Sequence, residues 1–396
     1  RWERGEQILL QETFYPILQA RDACELRADV QVGGSDQLFN IVTASRRLME
    51  ASGMPPNVAL IVGLLPGTDG KVKMSKSLGN HIPLHAPPGQ MYGKLMSLPD
   101  EAMRVYFDLL TALPASEIDA LLAGHDAVFL GTGAADIQRP ETDPCDNCTY
   151  VRQHGGRNAR RYSSLFVSPG VLIDYSVTGR KGLESAGIAP AAIDHLLITH
   201  SHGDHCDPAA IVALAREKNK PLSLVGNANT VARIEEHLKT LGADQRPALT
   251  LQTVKPGEEF ALGPWRAKAL AANHIPTEDA LLYVLRGQHK SLLYATDTSW
   301  FPVGTFAALG AERLDLAVVE GTFGEQMQAN LLVGHMNFPF VRLIRQFLVE
   351  SKRLKPGGRF FVTHLSLHFC EPYDLLAPRL AAEDIVVAYD GLRVDL

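Results

Sequence analysis

The order of apolar and polar positions divides the chain into two stretches of different period. From residue 13 to about 122, segments of helical period are interrupted by glycine and proline turns, including Leu64-Leu65-Pro66-Gly67-Thr68-Asp69-Gly70 and His85-Ala86-Pro87-Pro88-Gly89. Residues 115–122 predict a last amphipathic helix. At Ala127-Val128-Phe129-Leu130-Gly131-Thr132-Gly133 a short apolar run enters a glycine turn, a common opening for an α/β domain. The join is expected at 124–125, giving domains 1–124 and 125–396 with no Pro/Ser-rich linker between them.

Beyond residue 190, apolar runs repeatedly stop just before a residue able to bind a metal. Leu196-Leu197-Ile198 precedes His200, Ala269-Leu270-Ala271-Ala272 precedes His274, Leu292-Leu293-Tyr294-Ala295 precedes Asp297, and Phe360-Phe361-Val362 precedes His364. A further run, Leu316-Ala317-Val318-Val319, reaches Glu320. Runs of this length between polar turns read as buried strands, and loops at the strand ends of a layered α/β domain are where sites are assembled. The densest cluster is His200-Ser201-His202-Gly203-Asp204-His205. Alternate residues in a tight loop direct His200 and His202 to one ion while Asp204 and His205 turn toward another, and Gly203 is expected to permit the sharp backbone turn.

Composition narrows the setting. With 396 residues, 46% hydrophobic and 21% charged, the chain has the make-up of a soluble enzyme of more than one domain. No apolar run approaches the ~20 residues of a membrane-spanning helix, so no membrane partner is expected. A formal net charge of −6 argues against holding nucleic acid by bulk electrostatics. Five cysteines, odd in number and irregularly spaced, fit a reducing compartment, and cytoplasm is the expectation. The opening Arg1-Trp2-Glu3-Arg4-Gly5 lacks the features of a signal peptide and reads as starting inside a longer frame.

The His-x-His-x-Asp-His cluster, followed in order by His274, Asp297 and His364, resembles the metallo-β-lactamase superfamily over 127–396. The resemblance implies an α/β fold, an αββα sandwich with its site along one edge. It also implies that His200, His202 and His274 bind one ion, that Asp204, His205 and His364 bind a second, and that Asp297 bridges them. His and Asp donors suit zinc or manganese. Between two such cations a water loses its proton near neutral pH and becomes the nucleophile, a hydroxide bridging the ions, and the entering and leaving oxygens of a phosphodiester are both stabilised. The expected function is therefore a dinuclear metal-dependent hydrolase acting on a small or cyclic phosphodiester. Thioester or other ester hydrolysis is the alternative, because fold and ligands do not fix the substrate.

Within that superfamily, Leu130-Gly131-Thr132-Gly133, Ala295-Thr296-Asp297-Thr298, Glu320-Gly321-Thr322 and Gly334-His335-Met336 resemble the phosphonate-pathway cyclic phosphodiesterases, relatives of the tRNA 3′-end endonucleases. That similarity implies that His335 contacts the scissile phosphate and protonates the leaving oxygen, with Asp204 beside it as the other catalytic candidate. Glu320 stands where many relatives carry Asp and is open between supporting a ligand histidine and plain structure. Cys145-Asp146-Asn147-Cys148 offers half of a tetrahedral structural zinc site, with His368 or Cys370 to complete it. Asp143 occupies the position where relatives commonly have a further cysteine.

In the first stretch, Gly33-Gly34-Ser35-Asp36-Gln37 and Lys73-Met74-Ser75-Lys76-Ser77, with Tyr15, Gln19 and Asp22 before them, resemble the second half of a bacterial tyrosyl-tRNA synthetase catalytic domain over 9–122. The resemblance implies a partial Rossmann-like, mostly helical segment in which Tyr15, Gln19, Asp22 and Gln37 surround tyrosine. Lys73 and Lys76 would stabilise the phosphates of ATP. A His-Ile-Gly-His type sequence and a tRNA-binding tail after Leu122 have no counterpart, so this fused segment is expected to be truncated and unable to form tyrosyl-adenylate alone. A homodimer and tRNA as a partner are left open by the sequence.

Overall fold

The computed structural model describes residues 10–115, 118, 126–137, 145–218, 220–288, 290–310, 312–328 and 332–396. The join at 124–125, most of the helix expected at 115–122, and Asp143 lie outside them. The chain forms two compact units, 1–122 and 123–396.

In the first unit a helix, Leu10–Leu26, precedes strand β1, Val30–Gly34, which pairs in parallel with β2, Val58–Val62. A π-helical stretch, Phe39–Ser45, and a helix, Arg46–Ala51, connect the two strands, and helices Pro88–Met96 and Asp100–Leu110 follow. The unit is mostly helical around this small parallel sheet. Its buried apolar cluster is small, centred on Ala23, Cys24 and Met49.

The second unit is an αββα sandwich of two seven-stranded sheets. The first sheet comprises β3 (Asp126–Gly131), β4 (Ser164–Val167), β5 (Gly170–Ile173), β6 (Ile193–Leu197), β7 (Leu222–Gly226) and β8 (Leu249–Thr253), with the last strand, β16 (Arg393–Asp395), beside β3. The second sheet holds β9 (Glu259–Leu262), β10 (Trp265–Ala271), β11 (Leu281–Arg286), β12 (Ser291–Ala295), β13 (Leu314–Glu320), β14 (Leu354–Thr363) and β15 (Val386–Val387), in that order. Between the sheets lie Phe129, Trp265, Tyr283, Tyr294 and Phe361, all buried. Helices Pro208–Glu217 and Phe338–Glu350 contribute to the clusters on the outer faces.

This layering explains the continuous apolar runs. β12, β13 and β14 are parallel neighbours covered on both faces where they cross the core, so Leu292–Ala295, Leu316–Val319 and Phe360–Val362 are continuous apolar runs. Their carboxyl ends deliver Asp297, Glu320 and His364 side by side. β5 and β6 of the facing sheet, also parallel, deliver Asp174 and His200. Polar groups are admitted only where the sheets end, because an unpaired charge in the interior costs several kcal/mol, of order 2–7 even for a neutral polar group.

Candidate metal centre

The loop after β6 closes as one helical turn, with the N–H groups of His205 and Cys206 both donating to the carbonyl of His202 at 3.0 and 2.7 Å. Gly203 has open space around it and no left-handed backbone, so the turn does not depend on glycine's freedom, contrary to the expectation from its sequence. Left-handed backbone occurs instead at Asp174, Asp297 and His364, with φ of 58°, 49° and 52°. Each costs of order 1–2 kcal/mol relative to the usual conformation. The strands packed behind them offset that strain and fix the direction of the side chains.

Four imidazoles are then oriented by what their Nδ1 atoms meet. His205 Nδ1 donates to Asp174 Oδ2 at 2.7 Å, and His274 Nδ1 donates to the carbonyl of Gly334 at 3.1 Å. The Thr199 hydroxyl donates to Asp174, leaving its oxygen to accept from His200 Nδ1 at 3.0 Å. The Thr322 hydroxyl donates to Glu320 at 2.5 Å and accepts from His364 Nδ1 at 2.9 Å. With Nδ1 engaged outward, each ring turns its Nε2 inward, the orientation metal-binding histidines adopt. His202 turns its Nδ1 toward His274 Nε2 at 3.4 Å.

These atoms fall into groups of donors within 4.8 Å of one another: His200, His202 and His274 in one, and Asp204, His205 and His364 in another. Asp297 lies between them, its Oδ2 4.0 Å from His200 Nε2, 2.5 Å from His205 Nε2 and 3.1 Å from His364 Nε2. The buried His200 Nε2 takes part in no hydrogen bond. Burial, with His205 next to it, holds the His200 imidazole well below its ordinary pKa, and burial lowers His274. Burial alone would also lower His205 and His364, but Asp297 and its neighbouring carboxylates prevail, holding His205 well above the ordinary range and His364 at about 10. Ring nitrogens converging on shared carboxylates fit divalent cations, which would displace the second proton that His205 and His364 hold in their absence.

Residues 171–364 match a family model described as a beta-lactamase superfamily domain, and residues 1–128 match that of class I tRNA synthetases (W and Y). The chain joins a metallo-β-lactamase domain to a tyrosyl-tRNA synthetase segment. Of solved structures, Zn(2+)-bound PqqB from Methylobacterium extorquens is similar with a TM-score of 0.53 and 17% identity, over 68% of this chain and 100% of the other. A diphosphatase from the PhnP family has a TM-score of 0.53 and 22% identity, over 68% of this chain and 96% of its own. The tyrosine–tRNA ligase of Moorella thermoacetica is 47% identical over 124 residues, 31% of this chain. The chain spans about 30% of the length of that ligase.

In the metallo-β-lactamase domain, Glu320 also stands near Asp297, His335 and His364. Its oxygens are already engaged, accepting from Thr298 N at 2.5 Å, Thr322 Oγ1 at 2.5 Å and Met336 N at 3.2 Å, which makes it a support rather than a metal donor. His335 leans its Nδ1 on Glu320 at 3.3 Å and lines the cavity over the centre. Burial would lower its pKa, but the Glu320 carboxylate prevails and raises it.

Sequence reasoning missed Asp174, Thr199 and Thr322. Asp174 carried the same signal as the ligands, since Val171-Leu172-Ile173 is another apolar run that stops at a carboxylate. The structural zinc expected at Cys145 and Cys148 would lie beside Asp143, which is outside the described residues. Among the described residues, no group of three potential donors includes Cys145, Cys148, His368 or Cys370. Cys145 caps the helix Asp146–His154, and the Cys370 thiol donates to the carbonyls of Gly321 and Thr322, both at 3.4 Å.

In the synthetase segment, Tyr15, Gln19 and Asp22 follow helical spacing along Leu10–Leu26 and share a face. Gln37, in the turn after β1, accepts from Asn40 Nδ2 at 3.0 Å. The two motifs of this segment meet, because Lys73 forms an ion pair with Asp36. Lys76 stays exposed. Among the described residues no helix is long and apolar enough to cross a membrane.

Proposed function

We propose that the metallo-β-lactamase domain hydrolyses a phosphodiester at a dinuclear metal centre. The observation that carries this reading is the set of four buried histidines whose Nδ1 atoms are engaged by Asp174, Thr199, Gly334 and Thr322, which turns their Nε2 atoms inward as two donor groups on either side of Asp297. His200, His202 and His274 would hold one ion, and Asp204, His205 and His364 the other, with Asp297 shared. When bound, the ions supply Lewis acidity toward the phosphate oxygens and lower the pKa of a water.

The protein's own groups do the rest. Asp297, held by its left-handed backbone at the end of β12, keeps both donor sets in register. Glu320 receives the Nδ1 proton of His335, so the other ring nitrogen is the one available to the cavity. From there His335 delivers a proton to the departing alkoxide or phenoxide oxygen, general acid catalysis typically worth about 10²–10⁴ in rate. A phosphate ester suits such a centre better than a thioester, because paired cations stabilise both the entering and the leaving oxygen. The test is turnover of bis(p-nitrophenyl) phosphate by the full chain with added zinc or manganese. Activity should require about two ions per chain, and Asp204→Ala should abolish it while reducing the metal content toward one. Turnover unaffected by this substitution would refute the reading.

A second reading concerns the synthetase segment. Its Tyr15, Gln19, Asp22 and Gln37 would surround tyrosine, with Lys73 and Lys76 near ATP, and the observation favouring it is the contact between the Asp36 and Lys73 motifs. Tyrosine-dependent pyrophosphate exchange, lost on Lys73→Ala, would establish it.

A further inference from the structure

The cavity over the metal centre, about 380 Å³, has a polar floor and an apolar wall. The floor is the candidate ligand set. The wall is formed by Ile275, Phe323 and Phe369, and among the described residues no lysine or arginine lines the cavity. Phe323 sits edge-on to Phe369, ring centroids 5.4 Å apart at 78°, and edge-on to His335 at 5.6 Å and 87°. The wall is thus continuous with the histidine assigned to the leaving oxygen. Ile275 follows the ligand His274 directly and is 45% exposed, so its side chain is unclaimed by the core. Asp136 adds a carboxylate to the rim, fixed by Ser366 Oγ at 2.5 Å and by the N–H of His368 at 3.2 Å.

Charge and shape select together. Two divalent ions against the two ligand carboxylates leave a surplus of about +2, enough for one phosphodiester and its nucleophile but not for a string of phosphates. Sites that take polyanions surround them with arginine or lysine, and this cavity presents Asp136 instead. An apolar arm, by contrast, gains from leaving water for Ile275 and the phenylalanine faces.

Resting on the phosphodiesterase reading, we propose that the substrate is a phosphodiester carrying a single negative charge, one ester arm of which is an aromatic or similarly apolar group seated on Phe369, Phe323 and Ile275. An added phosphate is disfavoured by the Asp136 carboxylate on the rim.

The test uses the monomethyl esters of phenylphosphonate and methylphosphonate, monoanions that differ only in the arm, with the metal-loaded full chain. Calorimetry should show the phenylphosphonate ester binding about tenfold tighter, the gain expected from seating one ring. The advantage should fall below about threefold in Phe369→Ala and in Ile275→Ala, both on the partly exposed rim, with metal content confirming an intact centre. A nucleoside 5′-(p-nitrophenyl phosphate) should lose about tenfold in kcat/KM when a 3′-phosphate is added, and this penalty should shrink in Asp136→Asn. Equal binding of the two phosphonates, or a phenyl advantage untouched by both substitutions, overturns the proposal even if diesters are hydrolysed. A phenyl advantage without diester turnover leaves the subsite standing and refutes the phosphodiesterase reading instead.

Discussion

His205 donates its Nδ1 proton to Asp174 across 2.7 Å, and solvent reaches neither side chain. Asp174 also accepts from the N–H and hydroxyl of Thr199, through which it orients His200. One carboxylate therefore aims a donor of each candidate metal group. Asp174→Ala should lower affinity for both ions by about 10–100-fold, the usual consequence of losing an orienting partner. Competition against a chelator of known affinity checks this, and unchanged affinity would refute the orienting role.

His335 is proposed to protonate the leaving oxygen, so its importance should depend on how much the leaving group needs a proton. His335→Ala should slow hydrolysis of an alkyl or phenyl ester by about 10²–10⁴ and of a p-nitrophenyl ester much less. Rates across a series of phenols of increasing pKa would show a steeper decline in the variant. Parallel lines would refute the proton-donor role.

Glu320 faces donors on every side: two backbone N–H groups, the Thr322 hydroxyl and His335 Nδ1. In Glu320→Gln an NH₂ group must confront one of them. A loss of about 1–3 kcal/mol in unfolding free energy is expected, the cost of a buried polar group left without its partner. Urea denaturation measures it.

Asp390 accepts from Thr132 Oγ1 at 2.8 Å and from the Arg161 N–H at 2.6 Å, yet burial prevails and pushes its carboxyl to about 6. An unfolded aspartate titrates near about 3.9. Over the interval between these values the folded chain keeps a proton that the unfolded chain has released, so this group's contribution is complete below the lower value and declines as pH rises to the upper. Asp390→Asn cannot titrate. The difference between wild-type and variant urea midpoints should therefore fall across this interval and level off above it.

A Cβ at Gly131 would stand 1.9 Å from the carbonyl oxygen of Tyr162, which is backbone and cannot swing aside. Gly131→Ala should destabilise the domain by about 3 kcal/mol, the upper range for overpacking. Gly203→Ala meets open space and ordinary backbone, and should change stability by less than about 0.5 kcal/mol. Thermal melts of the pair would separate glycine required by close approach from glycine merely present in a motif.

The sequence by itself determined where the carboxyl ends of the buried strands fall. A run such as Phe360-Phe361-Val362 must be covered on both faces, and a histidine or carboxylate directly after it can only sit where the sheet ends. That reasoning reached His200, His274, Asp297 and His364, and it applies equally to Asp174, which was passed over. Tertiary structure alone decided which nitrogen of His205, His274 and His364 faces inward, because the partners that decide it are distant in the chain: Asp174 lies 31 positions from His205, Gly334 lies 60 from His274, and Thr322 lies 42 from His364. It also decided that Phe323 stands beside His335 with Phe369 packed against it. Period and polarity fix which residues leave the core, whereas the meeting of loops is fixed by how two sheets pack, and no local pattern encodes that geometry.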